Sequence, residues 1–153
     1  MNPSEIISLE REYVLQTYRR PDFVLVRGEV ARVNDSEGRA YLDGVSGIAV
    51  NALGYRDPQV VATIQAAADR LIPVSNMYHT QPHALLARSL AEHSGADQVF
   101  VCNSVTEAVE AALKFARKYA RQSFGEHKTR FVAFTDSFHG RTMGALSTTA
   151  TEK

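Results

Sequence analysis

Two short stretches concentrate side chains with chemical capability. The first, Asn103-Ser104-Val105-Thr106-Glu107, follows the apolar run Gln98-Val99-Phe100-Val101-Cys102. A strand that passes through a tight turn into a helix leaves unpaired backbone N–H groups at the positive end of the helix dipole, a setting that suits a phosphate. Ser104 and Thr106 would add hydroxyls to the same anion. A simpler pattern is also present: Ser104-Val105-Thr106-Glu107 fits a capping box, in which Ser104 accepts a backbone N–H and Glu107 reaches back. Spacing alone leaves both readings open.

The second stretch is Asp136-Ser137-Phe138-His139-Gly140-Arg141-Thr142, after the apolar run Arg130-Phe131-Val132-Ala133-Phe134. It combines an aromatic face, an imidazole, a flexible Gly and a guanidinium that can hold a carboxylate bidentately. Such a mixture in a loop is seldom about packing. The plain alternative is a hydrogen-bonded His139 and a surface cation at Arg141. His79 and His83 are four apart, but Pro82 interrupts a continuous helix between them and no third ligand is near, so no metal site is expected.

The elements that would position these stretches follow from periodicity. Residues 5–18 suggest a short helix with Ile6, Leu9 and Tyr13 on one face, although Gln16 and Thr17 break the stripe. Phe23 to Gly28, Val30 to Asn34 and Arg39 to Asp43, separated by turn residues that include Asp35-Ser36-Glu37-Gly38, read as a small antiparallel β-meander. Pro58 opens a helix that Pro73 ends, and a second helix begins near Pro82 and stops at Ser94-Gly95. The runs 98–103 and 130–134 are continuous and apolar, as strands buried in a parallel sheet are, and a helix with Ala108, Ala111, Ala112, Phe115, Ala116 and Tyr119 on one face lies between them. Strand, helix, strand is a βαβ unit with a right-handed crossover. Both chemical stretches then lie at the carboxyl edge of one sheet, where α/β folds bind ligands.

Composition narrows the function classes. The 153 residues carry 17 Lys+Arg against 17 Asp+Glu, which argues against a nucleic-acid module or an anionic-membrane binder. The single Cys102 excludes an internal disulfide and a multi-cysteine zinc site and favours a reducing compartment, so a cytoplasmic location is expected. The length is enough for one domain that buries about 70% of its unfolded surface. Against that, a parallel sheet needs more strands than 98–103 and 130–134, and the chain stops just after a third apolar stretch, Met143 to Leu146. It reads as the front portion of a longer protein.

The two stretches together carry a resemblance. Residues 103–114 (Asn-Ser-Val-Thr-Glu-Ala-Val-Glu-Ala-Ala-Leu-Lys) and 138–147 (Phe-His-Gly-Arg-Thr-Met-Gly-Ala-Leu-Ser) resemble the pyridoxal-phosphate-dependent class III aminotransferases, and most of all their acetylornithine aminotransferase subgroup. Tyr41-Leu42-Asp43, the run from Ser46 to Gly54, and Ser75-Asn76-Met77-Tyr78 resemble the family in the same order, so the likeness covers about Asp22 to Ser147. It implies an α/β chain with part of the type I fold of pyridoxal-phosphate transferases: an N-terminal arm and small-domain β-meander in residues 1–55, then the first part of the large cofactor-binding domain, a mostly parallel sheet covered by helices, in 56–153.

The resemblance also implies roles. Ser104, Val105 and Thr106 are expected at the phosphate of pyridoxal 5'-phosphate, Phe138 against its pyridine ring, and Arg141 at the substrate α-carboxylate. Phe at 138 favours the acetylornithine subgroup over 4-aminobutyrate relatives, where Tyr is common. The implied reaction moves the terminal amine of N-acetylornithine, or a similar ω-amine, to 2-oxoglutarate in a homodimer. Ornithine and 4-aminobutyrate remain alternatives within the family, and a non-catalytic phosphate-binding module or a degenerate remnant remain alternatives outside it. No catalytic residue is expected in this chain: Lys114, Lys118, Lys128 and Lys153 do not match the family's Schiff-base lysine, which is expected beyond Lys153. Two departures stand out, because Val105 and Val30 occupy positions where the family has Gly. A left-handed backbone at Val105 would cost about 1–2 kcal/mol and its side chain would crowd the phosphate.

Overall fold

The computed structural model describes residues 1–150. The chain divides into two compact units, Met1–Val74 and Ser75–Lys153.

In the first unit, helix α1 (Pro3–Tyr13) starts at Asn2, whose side chain accepts from Glu5 N while Glu5 reaches back to accept from Asn2 N, a reciprocal cap with Pro3 at the first helical position, where no N–H is needed. The helix expected over 5–18 ends at Tyr13, where the apolar stripe gives out. Strands β1 (Leu25–Glu29), β2 (Arg32–Asp35) and β3 (Ala40–Leu42) form an antiparallel sheet in the order β1-β2-β3, with Gly28 opposite Val33 and Val33 opposite Tyr41. This is the expected meander. A four-residue turn, α2 (Ser46–Ala49), follows, with left-handed backbone from Ser46 to Ala49. Helix α3 (Pro58–Ala68) then begins at Asp57, whose carboxylate accepts from Gln59 N and Val60 N at 3.0 Å each.

The hinge of the meander is Asp35, only 2% exposed. Its carboxylate accepts from the Glu37 and Arg39 amides (both 2.9 Å), Arg39 Nε (2.6 Å) and the Tyr41 hydroxyl (2.8 Å). Burial opposes the charge, but the Arg39 guanidinium, the Tyr41 hydroxyl and the two amides outweigh it and hold the carboxyl at about 2. Asp35 thereby closes the turn to Gly38, whose φ of 84° an L side chain seldom adopts, and fixes Tyr41 for its stack on Phe23 at 5.0 Å.

In the second unit, α4 (Gln81–Glu92) and the 20-residue α5 (Val105–Phe124) appear where the periodicity places them, and a short α6 (Met143–Thr148) closes the described chain. The third apolar stretch, Met143 to Leu146, lies in this short helix. The two expected parallel strands are also corrected: residues 98–103 and 130–134 carry no ladder, and the meander is the only sheet among the described residues. A parallel strand exists only through its neighbours' N–H and C=O groups, and among the described residues no strand lies beside either segment. Both still flank α5 through their aromatic residues. Phe100 meets Phe115 edge to face at 5.5 Å, and Arg117 lies 5.2 Å over the Phe131 ring.

The expectation of a well-buried core is corrected too. The accessible surface is 13562 Å², whereas a folded monomer of this mass exposes about 7,700 Å². Among the described residues only Val33 and Ala145 are buried apolar side chains. Ile64 on α3, Leu86 on α4 and Phe115 on α5 remain 62%, 48% and 55% exposed, so the apolar faces that the periodicity marks as core have no second layer over them.

Candidate functional site

The start of α5 is built as its sequence suggests. Ser104 has extended backbone (φ −148°, ψ 158°), and its hydroxyl accepts from Glu107 N at 3.2 Å. The reciprocal half of the box differs: the Glu107 carboxylate meets the Ser104 hydroxyl at 3.1 Å instead of the backbone N–H. Ser104 is thus an N-cap, and its hydroxyl is engaged with Glu107. The amides of Val105 and Thr106 meet no acceptor among the described residues, and Thr106 is exposed. These two donors at the positive end of a 20-residue helix fit a phosphate.

Val105 departs from the strain expected of it. It is the first residue of α5 and takes no positive φ, so the left-handed cost does not arise. Its side chain is 79% exposed. The strain falls on the other departure, Val30, at φ 51°.

Behind this turn a cleft of 510 Å³ runs between the 100–103 segment and α5, with Asn103, Glu107, Glu110 and Lys114 among its walls. A larger cleft of 730 Å³ lies along the later turns of α5, lined by Lys114, Arg117, Lys118 and Arg121 with Leu113 and Phe131. It touches neither Ser104–Thr106 nor Phe138, and size alone does not make it the site.

The loop from Asp136 to Thr142 is pinned at both ends. At its start, Asp136 N donates to Ala150 O (2.8 Å), Ala150 N to Ser137 O (3.1 Å), and the Ser137 hydroxyl to Phe134 O (2.7 Å). In the middle, His139 N donates to the Thr149 hydroxyl (3.0 Å), which itself donates to Ala145 O (2.9 Å). Gly140 has φ 129°, open to glycine and strained for other residues, and a Cβ there would stand 3.2 Å from Ala145 Cβ. At its end, Thr142 caps α6 by accepting from Ala145 N (3.3 Å).

Phe138 and Arg141 lie on this pinned loop, both exposed. Phe138 stands 68% open and stacks on no other ring among the described residues. A free aromatic face and a guanidinium at a fixed spacing are what a planar ring and a carboxylate require.

One residue that joins the two candidate segments escapes sequence reasoning. Glu110, in the second turn of α5, accepts from the Thr142 hydroxyl, from Gly144 N (3.1 Å) and from Ala145 N (3.3 Å), all through Oε1. It thereby ties the helix that starts at the candidate phosphate turn to the end of the Phe138–Arg141 loop. The Thr142 hydroxyl foremost, with these amides and Lys114, holds its carboxyl below the usual range against the opposing effect of burial. No local signal marks Glu110, because its partners lie 32 to 35 residues away.

Residues 13–153 match the family model for Aminotransferase class-III. The chain belongs to this family. Among relatives, the acetylornithine aminotransferase of Caldanaerobacter subterraneus subsp. tengcongensis is 47% identical over 148 residues, which are 97% of this chain and 38% of that protein. The ornithine aminotransferase structure from Toxoplasma gondii ME49 superposes with a TM-score of 0.88 at 30% identity, over 96% of this chain and 35% of that one. The N-acetylornithine aminotransferase structure from Stenotrophomonas maltophilia K279a gives 0.76 at 41% identity, over 88% and 36%. This class-III chain therefore spans little more than a third of the length of the relatives it matches. The likeness covers 96% of the chain, although the segments 98–103 and 130–134 carry no ladder among the described residues. Of the four lysines named from the sequence, Lys114 and Lys118 sit on α5, Lys128 follows it, and Lys153 lies outside the described residues.

Proposed function

We propose that these residues hold the phosphate, ring and substrate carboxylate of a pyridoxal-phosphate-dependent aminotransferase that moves the terminal amine of N-acetylornithine, or a similar ω-amine, to 2-oxoglutarate in arginine or related amino-acid biosynthesis. The observation that carries the reading is the pair of open amides at Val105 and Thr106, on the same helix whose Glu110 anchors the loop bearing Phe138 and Arg141. Val105 N and Thr106 N donate to the phosphate, joined by the hydroxyl of Thr106 and, once turned from Glu107, that of Ser104. Phe138 covers one face of the pyridine ring. Arg141 holds the α-carboxylate, leaving the far end of the substrate to present its amine. Pyridoxal 5'-phosphate bound there supplies an electron-accepting ring.

The relatives named for acetylornithine support that donor, and the structures named for ornithine support the neighbouring alternative. No helix among the described residues is long and apolar enough to cross a membrane. A cytoplasmic homodimer is the assembly we propose.

The test is glutamate formation from 2-oxoglutarate by the protein in its complete reading frame. Turnover with N-acetylornithine above that with ornithine or 4-aminobutyrate supports the reading, and turnover with none of them contradicts it.

A further inference from the structure

The bond set of Glu110 is unusual in converging on one oxygen. The Thr142 hydroxyl and the amides of Gly144 and Ala145 all reach Oε1, so a carboxylate from α5 sits in the first turn of α6 and takes up its unpaired donors. Gly144 permits the approach. A Cβ there would fall 2.6 Å from Glu110 Oε1 and 2.7 Å from Oε2, which would push the carboxylate away without touching backbone. Ala145, 1% exposed, and Thr148, 8%, are buried on this same short helix, so the contact lies in the best-packed part of the second unit. The other end of α6 closes onto Asp136 and Ser137 through Ala150.

We propose that Glu110 is a positioning residue: by holding the first turn of α6 against α5, it sets where Phe138 and Arg141 stand relative to the start of α5. The roles of those two residues rest on the function proposed above, whereas the clamp itself does not. The other charged side chain facing Glu110 is Lys114, one turn later on α5, with Glu107 one turn earlier, and α6 contributes no ionisable group.

The test uses the 153-residue chain, with NMR signals of Gly144, Ala145, Phe138 and Arg141 read with and without pyridoxamine 5'-phosphate, the cofactor form that has no aldehyde to react with lysines. Glu110→Ala should speed exchange of the Gly144 and Ala145 amides, broaden the Phe138 and Arg141 signals and weaken ligand binding about tenfold. Gly144→Ala, which displaces the carboxylate while leaving it in the chain, should reproduce these changes. Glu110→Gln keeps an Oε1 that accepts all three bonds, and should restore the order and the affinity. In the wild type the four signals should share one titration below the ordinary glutamate range, and in Glu110→Gln that titration should vanish. Unchanged loop signals in Glu110→Ala, or a Gln variant as disordered as the Ala variant, overturn the proposal. Loop signals that respond as expected in a chain that binds no ligand at Phe138 leave the clamp standing and count against the cofactor reading instead.

Discussion

The ring of Tyr55 lies across Gly28, so close that a Cβ on Gly28 would fall 2.3 Å from Tyr55 Cγ. The same tyrosine exchanges both backbone hydrogen bonds with Val30 (3.0 and 2.8 Å), and its hydroxyl donates to Asp43 at 2.7 Å. Tyr55 thus ties the end of β1 to the segment after α2, and Gly28 is the space that lets it do so. Gly28→Ala must move an aromatic ring held at three points. It should destabilise the first unit by about 1–3 kcal/mol, as overpacking does. Denaturant unfolding of the variant beside the wild type measures this, and equal midpoints would mean the ring is not held.

Val30 carries a β-branched side chain at φ 51° and is 69% exposed, so it has strain without much burial to offset it. Glycine removes a left-handed cost of about 1–2 kcal/mol and loses about 0.5–1 kcal/mol through the greater freedom of the unfolded chain, so the first effect is the larger. Val30→Gly should therefore gain about 0.5–1 kcal/mol, while Val30→Ala, still at positive φ, should gain less. Thermal unfolding of the two variants gives the order, and a loss of stability in Val30→Gly would count against the strain.

Asp35 makes the meander sensitive to acid. Its carboxyl is held at about 2, against 3.8 ordinarily, so its contribution is complete above pH 3.8 and disappears as pH falls toward 2. Asp35→Asn should weaken the meander at neutral pH and flatten stability across that window. The carboxyl carbon signal of Asp35 followed from pH 6 to about 2 checks it, and a midpoint near the ordinary aspartate value would contradict the four-donor arrangement.

The two roles read for Ser104 separate by substitution. Ser104→Ala removes the cap and should cost about 1 kcal/mol of helix stability. Ser104→Asp caps as well as serine does, but it sets a second carboxylate beside Glu107 where the phosphate is to sit. It should keep the helicity of α5 and lose the affinity for pyridoxamine 5'-phosphate. Retained affinity in Ser104→Asp would place the phosphate elsewhere.

Val105→Gly tests the remaining departure. Since the backbone there is helical, only the exposed isopropyl group opposes the anion, and its removal should raise ligand affinity while lowering helix propensity by about 0.5 kcal/mol. Equal affinities in titrations of the two chains would show that Val105 leaves the phosphate turn uncrowded.

What was legible in the sequence was local. The meander, α3 to α5 and the Ser104 cap each depend on neighbours a few residues away, so Pro58, Pro82 and the Ser-x-x-Glu pattern suffice to locate them. The segments 98–103 and 130–134 carry no ladder among the described residues because apolar runs report a tendency to be buried, whereas a ladder also needs a neighbouring strand. Val105 was misread because a family glycine does not fix the φ that a valine adopts at a helix start. Glu110 and Tyr55 lay beyond reach, since their contacts join residues 32 or 27 positions apart. The resemblance carried by residues 103–114 and 138–147 held in full at the level of family.

In the proposed function the start of α5 and the loop from Asp136 to Thr142 receive one cofactor, and a titration of the isotope-labelled chain with pyridoxamine 5'-phosphate tests this most directly. Saturable shifts of the Val105, Thr106 and Glu107 amides together with the Phe138 ring are expected, all following one binding curve, with inorganic phosphate moving the amides alone. Shifts confined to the basic groove of Lys114, Arg117, Lys118 and Arg121, or different curves for the helix start and the loop, would contradict it.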